Sequence, residues 1–567
     1  MIVPLHRRTL SILFSLLLMG MTGGPVPADT ATLPMSPSRY HRTLAIPPLS
    51  MQALDLRSCF GRVDAAGALT ITLRQHTGNT YAVIALVPRP KHAPIHGLEY
   101  TLSFDTRFKK LAPGNPGKLG LGLCDSRGWT RQIQSAISIP GAEKATTWTR
   151  LAGIYHPLPD GRGVQIVVRV ESGRHTVSGI WQIRHMRLRA LSRPGISPAQ
   201  LALLKRVVVP QWERRHAPPP ARGFNIQTII RSWSKSGRGG FLPGVKFFQT
   251  VRRWGATVVR VPLDPAGIAR DRGRNIWALW PRILDEVAAT VKNARLAGVK
   301  VVLVLGNPPL ANMAVSHDSS AFWHQPDLAA VFCRIWRDLA RKLKSYDRTI
   351  YGYDLYNEPV DPAQSGPPRQ WRPLAIKIIR TIRRIDRKVW IIYEPGPWNN
   401  PSGFAHLYPL PFRRVMYSIH FYSPRAFTHQ GVYDTRNTDL AHAMKMINVN
   451  YPGVIGGVRW NERRLNQLLA PVDRFQARWG VPIFVGEFGA VRWAPRGSAA
   501  RWLADVTALF NRRRWAWCFL AFRSWNGWSL EYGNSFWRQG MPYPKPVRYE
   551  TARARVIRAA LAKNLRR

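Results

Sequence analysis

The sequence is poor in acid. Its 567 residues carry 31 Asp and Glu against 83 Lys and Arg, a formal net charge of +52. Three explanations are open for such a balance: a nucleic-acid partner, an acidic polysaccharide or anionic cell surface, or a low-pH exterior where few carboxylates limit protonation-driven unfolding. Nucleic-acid binders gather charge on one face or tail, whereas Arg here is spread over the whole chain, so no specific nucleic-acid partner is expected. Cysteine is scarce as well. Cys59, Cys124, Cys333 and Cys518 show no C-x-x-C or other ligand spacing, and neither a metal nor a cofactor is expected. In an oxidising compartment Cys59 could bridge to Cys124, while Cys333 and Cys518 lie in apolar stretches and read as buried thiols. Long apolar runs are missing beyond the N-terminal segment, so no membrane span is expected once that segment is removed.

That segment reads as a targeting signal. His6, Arg7 and Arg8 are basic, Leu10 to Met21 is apolar but too short to span a bilayer comfortably, and Val26-Pro27-Ala28 suits signal peptidase. Residues 1–28 are therefore expected to be a signal peptide and the mature protein to be secreted or periplasmic. A retained anchor is the alternative.

With 45% hydrophobic and 20% charged residues the remainder can build packed cores. Residues 29–49, rich in Pro, Ser and Thr, read as a linker. Over 50–192 the apolar residues alternate with polar ones in short stretches such as Leu69 to Leu73, Tyr81 to Leu86, Tyr100 to Phe104 and Val164 to Val170, the pattern of an all-β sandwich. The run of "YTLSFD", "LGLCD", "TTWTRLAG" and "IWQIRHMRL" resembles carbohydrate-binding modules with a jelly-roll fold. Trp129, Trp148, Tyr155 and Trp181 are its candidate ligand platforms, with packing between sheets the plainer reading of each.

Residues 193–221 are a connector ending in Pro218-Pro219-Pro220. From 222 to 567 apolar strands alternate with amphipathic helices. The strands are expected at Phe224–Ile226, Thr257–Val261, Val299–Leu305, Ile350–Tyr356, Val389–Tyr393, Val415–His420, Ile483–Val485 and Trp515–Phe522. Eight such units predict an α/β fold, the (β/α)₈ TIM barrel, whose chemistry sits at the C-terminal strand ends.

Those ends carry Asn225, Arg260, Asn307, Asn357-Glu358, Glu394, His420-Phe421-Tyr422, Glu487 and Trp525. A barrel with only a structural role has no reason to gather carboxylates, imidazole, phenol and indole at one mouth. Strand four ends in "YDLYNEP" and strand seven in "IFVGEFGA". Glu358 and Glu487 would then face each other across the mouth, as cleavage of a glycosidic bond requires of its two carboxylates. Glu394 reads as a loop anchor, and Trp398, Trp493 and Trp528 as rim or cleft residues.

At these motifs the chain resembles glycoside hydrolase family 5, the cellulase-type barrels of the retaining clan, over about residues 222–563. The resemblance implies that Glu358 is the acid/base and Glu487 the nucleophile. It implies that Arg260 pairs with the nucleophile and that Asn357 binds the sugar 2-hydroxyl. Tyr422 would orient Glu487, His420 would sit near the acid/base, and Trp525 would stack under the sugar. The implied activity is hydrolysis of β-1,4-linked glucan, of the cellulase or endoglucanase type. A β-mannanase or exopolysaccharide-trimming glycosidase stays open, because sugar choice rests on loop contacts. The alternative of another class is a polysaccharide-binding barrel without catalysis. One departure stands out: many family members carry a histidine after strand three, where this chain reads "LVLGNPP". Asn307, or nothing, takes that role, with His317 and His324 in the following loop as further candidates.

Overall fold

The computed structural model describes residues 41–49, 58–90, 98–112, 117–125, 137–156, 163–192, 198–226, 242–272, 275–364, 366–432, 448–537, 541–542 and 544–564. The expected signal peptide, the first part of the expected linker and Trp129 lie outside the described residues.

The N-terminal strands are β1 (His41–Leu44), β2 (Cys59–Val63), β3 (Leu69–Pro88), β4 (Leu98–Lys110), β5 (Lys118–Asp125), β6 (Ile137–Pro140), β7 (Thr149–Tyr155) and β8 (Gly163–Ser192). They pair antiparallel in the order β2-β3-β8-β4-β7, with β1 and β5 also on β8 and β6 on β5. Two expectations change here. The stretches around 69–73 and 81–86 are one strand, as are those around 164–170 and 180–188, and register shifts after Leu73, His76, Gly78 and Val83 let these long ribbons bend. Residues 41–44, expected within a linker, form β1 and pair with Leu188 to Leu191. The alternation buries one face: Ile71, Leu102, Leu121, Ile166 and Trp181 are fully covered.

All four cysteines are free, so the expected Cys59–Cys124 bridge is not made. Cys59 lies opposite Leu73, itself opposite Gly179, whereas Cys124 lies opposite Gln165 at the other half of β8. Cys518 is buried and Cys333 only half-buried.

Helices α1 (Pro198–Val207) and α2 (Pro210–His216) occupy the connector. Eight parallel strands then close a barrel: β9 (Arg222–Asn225), β10 (Val258–Leu263), β11 (Lys300–Leu305), β12 (Ile350–Asp354), β13 (Ile391–Tyr393), β14 (Val415–Phe421), β17 (Ile483–Phe488) and β18 (Ala516–Phe519). A small hairpin, β15 (Gly453–Ile455) and β16 (Val458–Trp460), interrupts the numbering. Outside pack α3 (Val245–Arg253), α4 (Pro265–Arg272), α5 (Ile276–Leu296), α6 (Leu328–Leu343), α7 (Trp371–Arg383), α8 (Arg425–Thr428), α9 (Glu462–Trp479), α10 (Ser498–Arg512) and α11 (Ala552–Leu561). Val258, Val302, Ile392, Met416, Phe484 and Cys518 fill the barrel interior, so it is a core and not a pore. Among the described residues no helix is long and apolar enough to cross a membrane.

The sandwich is tied to the barrel beside its mouth. Ile154 on β7 donates its N–H to Ala363 O at 2.7 Å, and the buried Glu99 accepts from Arg369 at 2.8 Å. The loop it grips begins a few residues after Glu358.

Candidate active site

The site is organised by one buried guanidinium. Arg260 on β10 is 1% exposed and all five of its N–H groups are used. Nε donates to Asp354 at 2.9 Å, Nη1 to Asn225 at 3.1 Å and Glu487 at 2.6 Å, and Nη2 to Asn357 at 2.8 Å and Glu394 at 2.9 Å. The five acceptors come from four strands or the residues just after them, Asp354 and Asn357 both from β12. A cation this deep is tolerable only when paired and fully hydrogen-bonded, so Arg260 locks those four strand ends to its own β10. Asn225 extends the lock by donating to Gly486 O and Cys518 O.

Glu358 follows β12 in a left-handed conformation, φ 51°, which a non-glycine residue adopts only when its surroundings impose it. Its N–H is held by Glu394 Oε2 at 2.6 Å. Its Oε1 lies 2.8 Å from His420 Nδ1. Burial pushes its carboxyl above the ordinary glutamate range; His420 works against that, and the charges of Glu487 and Glu394 add to it.

Glu487 is clasped on both oxygens, by Arg260 on Oε1 and by the Tyr422 hydroxyl on Oε2 at 3.0 Å. Burial, then the adjacent Glu487 charge, pushes the Tyr422 hydroxyl well up, so it remains a donor. His420 Nδ1 is 3.7 Å from Glu487 Oε2. Burial opposes a charge on His420, but Glu394 and Glu487 outweigh it and raise the imidazole well above its ordinary value. Its Nε2 stands 3.1 Å from Glu394 Oε1, close enough for an ion pair though not aligned as a hydrogen bond.

Two local devices bring these groups together. A register shift between Ile419 and His420 sets His420 opposite Glu487 and leaves Gly486 as the extra residue. Gly486 also has to be glycine, since a Cβ there would meet His420 Nε2 at 2.8 Å.

The expected residues Glu358, Glu487, Arg260, Asn357, His420 and Tyr422 thus meet in one constellation. Trp525 is 5% exposed and packs edge to face with Trp528 and Trp493, ring centres 4.6 and 6.2 Å apart. The ring that reaches the site is Trp528, stacked on Tyr422 at 5.6 Å. Glu394 is a central member and no loop anchor: it is wholly buried, and His420, Arg260 and the Glu358 N–H overcome the effect of burial and hold its carboxyl below the usual range. Its signal was in the sequence, a glutamate directly after an apolar strand, as at Glu358 and Glu487. Asp354, inside the strand-four motif, was missed because a strand residue shows its inward direction only in the fold. Asn307 is 5% exposed, with its side-chain oxygen unpaired. His317 is within electrostatic range of Asp264 and Asp318, and burial keeps its pKa low. His324 lies 3.4 Å from Gln370.

In the sandwich, Tyr155 and Trp181 are fully buried, and the guanidiniums of Arg184 and Arg107 lie 3.8 and 4.7 Å from the Trp148 ring centre. These rings serve packing and cation–π contacts.

Donor atoms of Glu358, His420 and Glu487 all lie within 4.8 Å of one another. A metal ion there would have to displace the Arg260 guanidinium and the Tyr422 hydroxyl from Glu487 and a proton from His420, so the donor set does not suit one.

The model of the cellulase family, glycosyl hydrolase family 5, matches residues 219–526, more than half of the chain. Endoglucanase C of Acetivibrio thermocellus is 26% identical over 212 residues, 34% of this chain and 59% of that protein. Cellodextrinase A of Ruminococcus flavefaciens is 25% identical over 260 residues, 46% of this chain and 72% of that protein. Among solved structures, endoglucanase Cel5A of Thermotoga maritima is similar with a TM-score of 0.44 and 23% identity, covering 55% of this chain and 91% of that one. The chain spans about three fifths of the length of the endoglucanase C it matches. A closed parallel barrel, two glutamates at the ends of strands four and seven, and the family match over that same barrel agree: the chain belongs to glycosyl hydrolase family 5, the cellulase family of glycoside hydrolases.

Proposed function

We propose that the chain is an exported retaining glycoside hydrolase that cleaves β-1,4-linked glucan internally, with Glu487 as nucleophile and Glu358 as acid/base. The spacing carries this reading: a carboxyl oxygen of Glu358 and one of Glu487 lie within 4.8 Å. Retaining enzymes hold the two carboxyl groups about 5–5.5 Å apart, whereas inverting ones leave roughly 6.5–9.5 Å for a water. Export rests on the basic and apolar N-terminal segment.

The different surroundings of the two glutamates support the division of roles. Glu487, between a guanidinium and a phenol hydroxyl, is held on both oxygens and aimed. Glu358 is raised, so it carries the proton that the leaving oxygen needs. Glu487 attacks the anomeric carbon as Glu358 protonates the departing oxygen. The ester on Glu487 has no charge, which removes one of the causes that raise Glu358. With His420 still donating to it, Glu358 is then the better base for water that opens the ester. Asn357, fixed through its oxygen by Arg260, keeps its amide N–H groups for the 2-hydroxyl.

The test is a hydrolysis screen on carboxymethyl cellulose, lichenan, xylan and mannan, with Glu358→Gln and Glu487→Gln as controls. Proton NMR of the first product should show the β anomer. Activity that survives Glu487→Gln, or an α anomer appearing first, overturns the reading.

A further inference from the structure

The segment after β14 carries a cation that the two-glutamate chemistry does not use. Arg425 opens α8, three residues past Tyr422. It is half-buried, its Nε is covered with no acceptor, and no hydrogen bond or ion pair holds it among the described residues. Only Nε is covered; the two Nη groups are neither covered nor hydrogen-bonded among the described residues, so they are the donors that an anion from outside can meet. Among the described residues no anion is left over to answer it. Glu358 and the Tyr422 hydroxyl are within its electrostatic reach, but Glu358 is engaged by His420, and Glu487 by Arg260 and Tyr422. His429 does not compete, because burial and the Arg425 charge keep its ring neutral.

We infer that the substrate is an anionic β-linked polysaccharide and that Arg425 receives a carboxylate on the sugar at the leaving-group side of the scissile bond. The inference rests on Glu358 being the acid/base, since the group that protonates the leaving oxygen faces that sugar. A guanidinium fork matches a carboxylate with two parallel hydrogen bonds, which a neutral sugar cannot supply. The net charge of +52 then has a use: it concentrates polyanions near the cleft, while Arg425 alone reads their position.

The experiment compares β-1,4-linked glucose oligomers with the same oligomers oxidised to carboxylates at C6, using the full chain. The wild type should show a kcat/KM roughly 10- to 100-fold higher on the acidic oligomers, the worth of a charged hydrogen-bonded pair. Arg425→Gln should collapse that ratio, while Arg214→Gln, an exposed charge on the remote α2, should leave it alone. Cleavage of the neutral oligomers with no preference for the acidic ones overturns the inference and leaves the two-glutamate reading standing. An equal loss on both substrates in Arg425→Gln overturns it too, since that marks a general effect on Glu358. If neither oligomer is cleaved, the glucanase reading falls and takes the inference with it.

Discussion

Glu394 accepts the backbone N–H of Glu358 at 2.6 Å while its other oxygen takes Arg260 at 2.9 Å. One buried carboxylate therefore holds Glu358, the proposed acid/base, in its left-handed conformation and steadies the arginine that grips Glu487, the proposed nucleophile. The two halves of the site are coupled through a residue that is itself wholly buried.

Glu394→Gln should consequently lower kcat by roughly 30- to 100-fold, the loss expected for hydrogen bonds to a charged group. Circular dichroism should show the fold retained. A kcat within twofold of wild type would mean that Glu394 is ballast.

Tyr422→Phe removes one of two donors from Glu487. It should lower kcat about 10-fold with little change in KM, because the donor matters most as the carboxylate is aimed and released. Glu487→Gln should lower kcat by roughly 10⁴-fold. Steady-state kinetics on one soluble glucan separates the two.

The pH profile carries a sign. Glu358 is raised mainly by burial and acts protonated, so the alkaline limb of kcat/KM should lie above the ordinary glutamate value of about 4.3. His420 is the chief group pulling it back down. His420→Gln should therefore move the alkaline limb to higher pH even as kcat falls. A shift to lower pH would contradict the arrangement.

A second buried glutamate affects stability. Glu213 on α2 is 1% exposed, and burial pushes its carboxyl up to about 7, against the pull of Arg413 and Arg414. Its folded value is raised, so its stabilising contribution is complete below about pH 4.5 and lost as pH climbs through 7. Glu213→Gln should stabilise the fold at pH 8 by roughly 1–2 kcal/mol after allowance for screening, seen as a higher Tm, and leave Tm unchanged at pH 4. Calorimetry at the two pH values decides it.

Arg369→Ala should loosen the sandwich from the mouth. Glu99, with a side chain 2% exposed, would lose its cation at 2.8 Å. Because Arg369 itself is partly exposed, the loss should be about 1–2 kcal/mol, seen as a lower Tm. A fall in kcat beside it would show that the loop after Glu358 depends on the sandwich.

Much of this was legible in the chain. Apolar runs of three to eight residues punctuated by amphipathic helices point to a parallel barrel, because only helices on the outside can cover such strands. Once the strands were placed, their C-terminal ends gathered Glu358, Glu487, Arg260, Asn357, His420 and Tyr422 among other polar groups, and the family resemblance singled these out together with Trp525. Local pattern failed where side chains act over long range. The bends in β3 and β8 come from register shifts that alternation does not reveal. Cys59 on β2 and Cys124 on β5 belong to one sheet, but Cys59 lies beyond β3 from one half of β8 and Cys124 pairs with the other half. Trp525 stood in the right segment, yet Trp528 has the stack on Tyr422. What the sequence alone determined is the strand ends and the chemical types placed there, because period and motif are local properties. What only the tertiary structure decided is who pairs with whom: that Glu394 joins both halves of the site, that Arg260 spends every N–H inside it, and that Arg425 spends none. Pairing is a property of three-dimensional distance, and residues 62 to 227 positions apart meet here only because a ring closes.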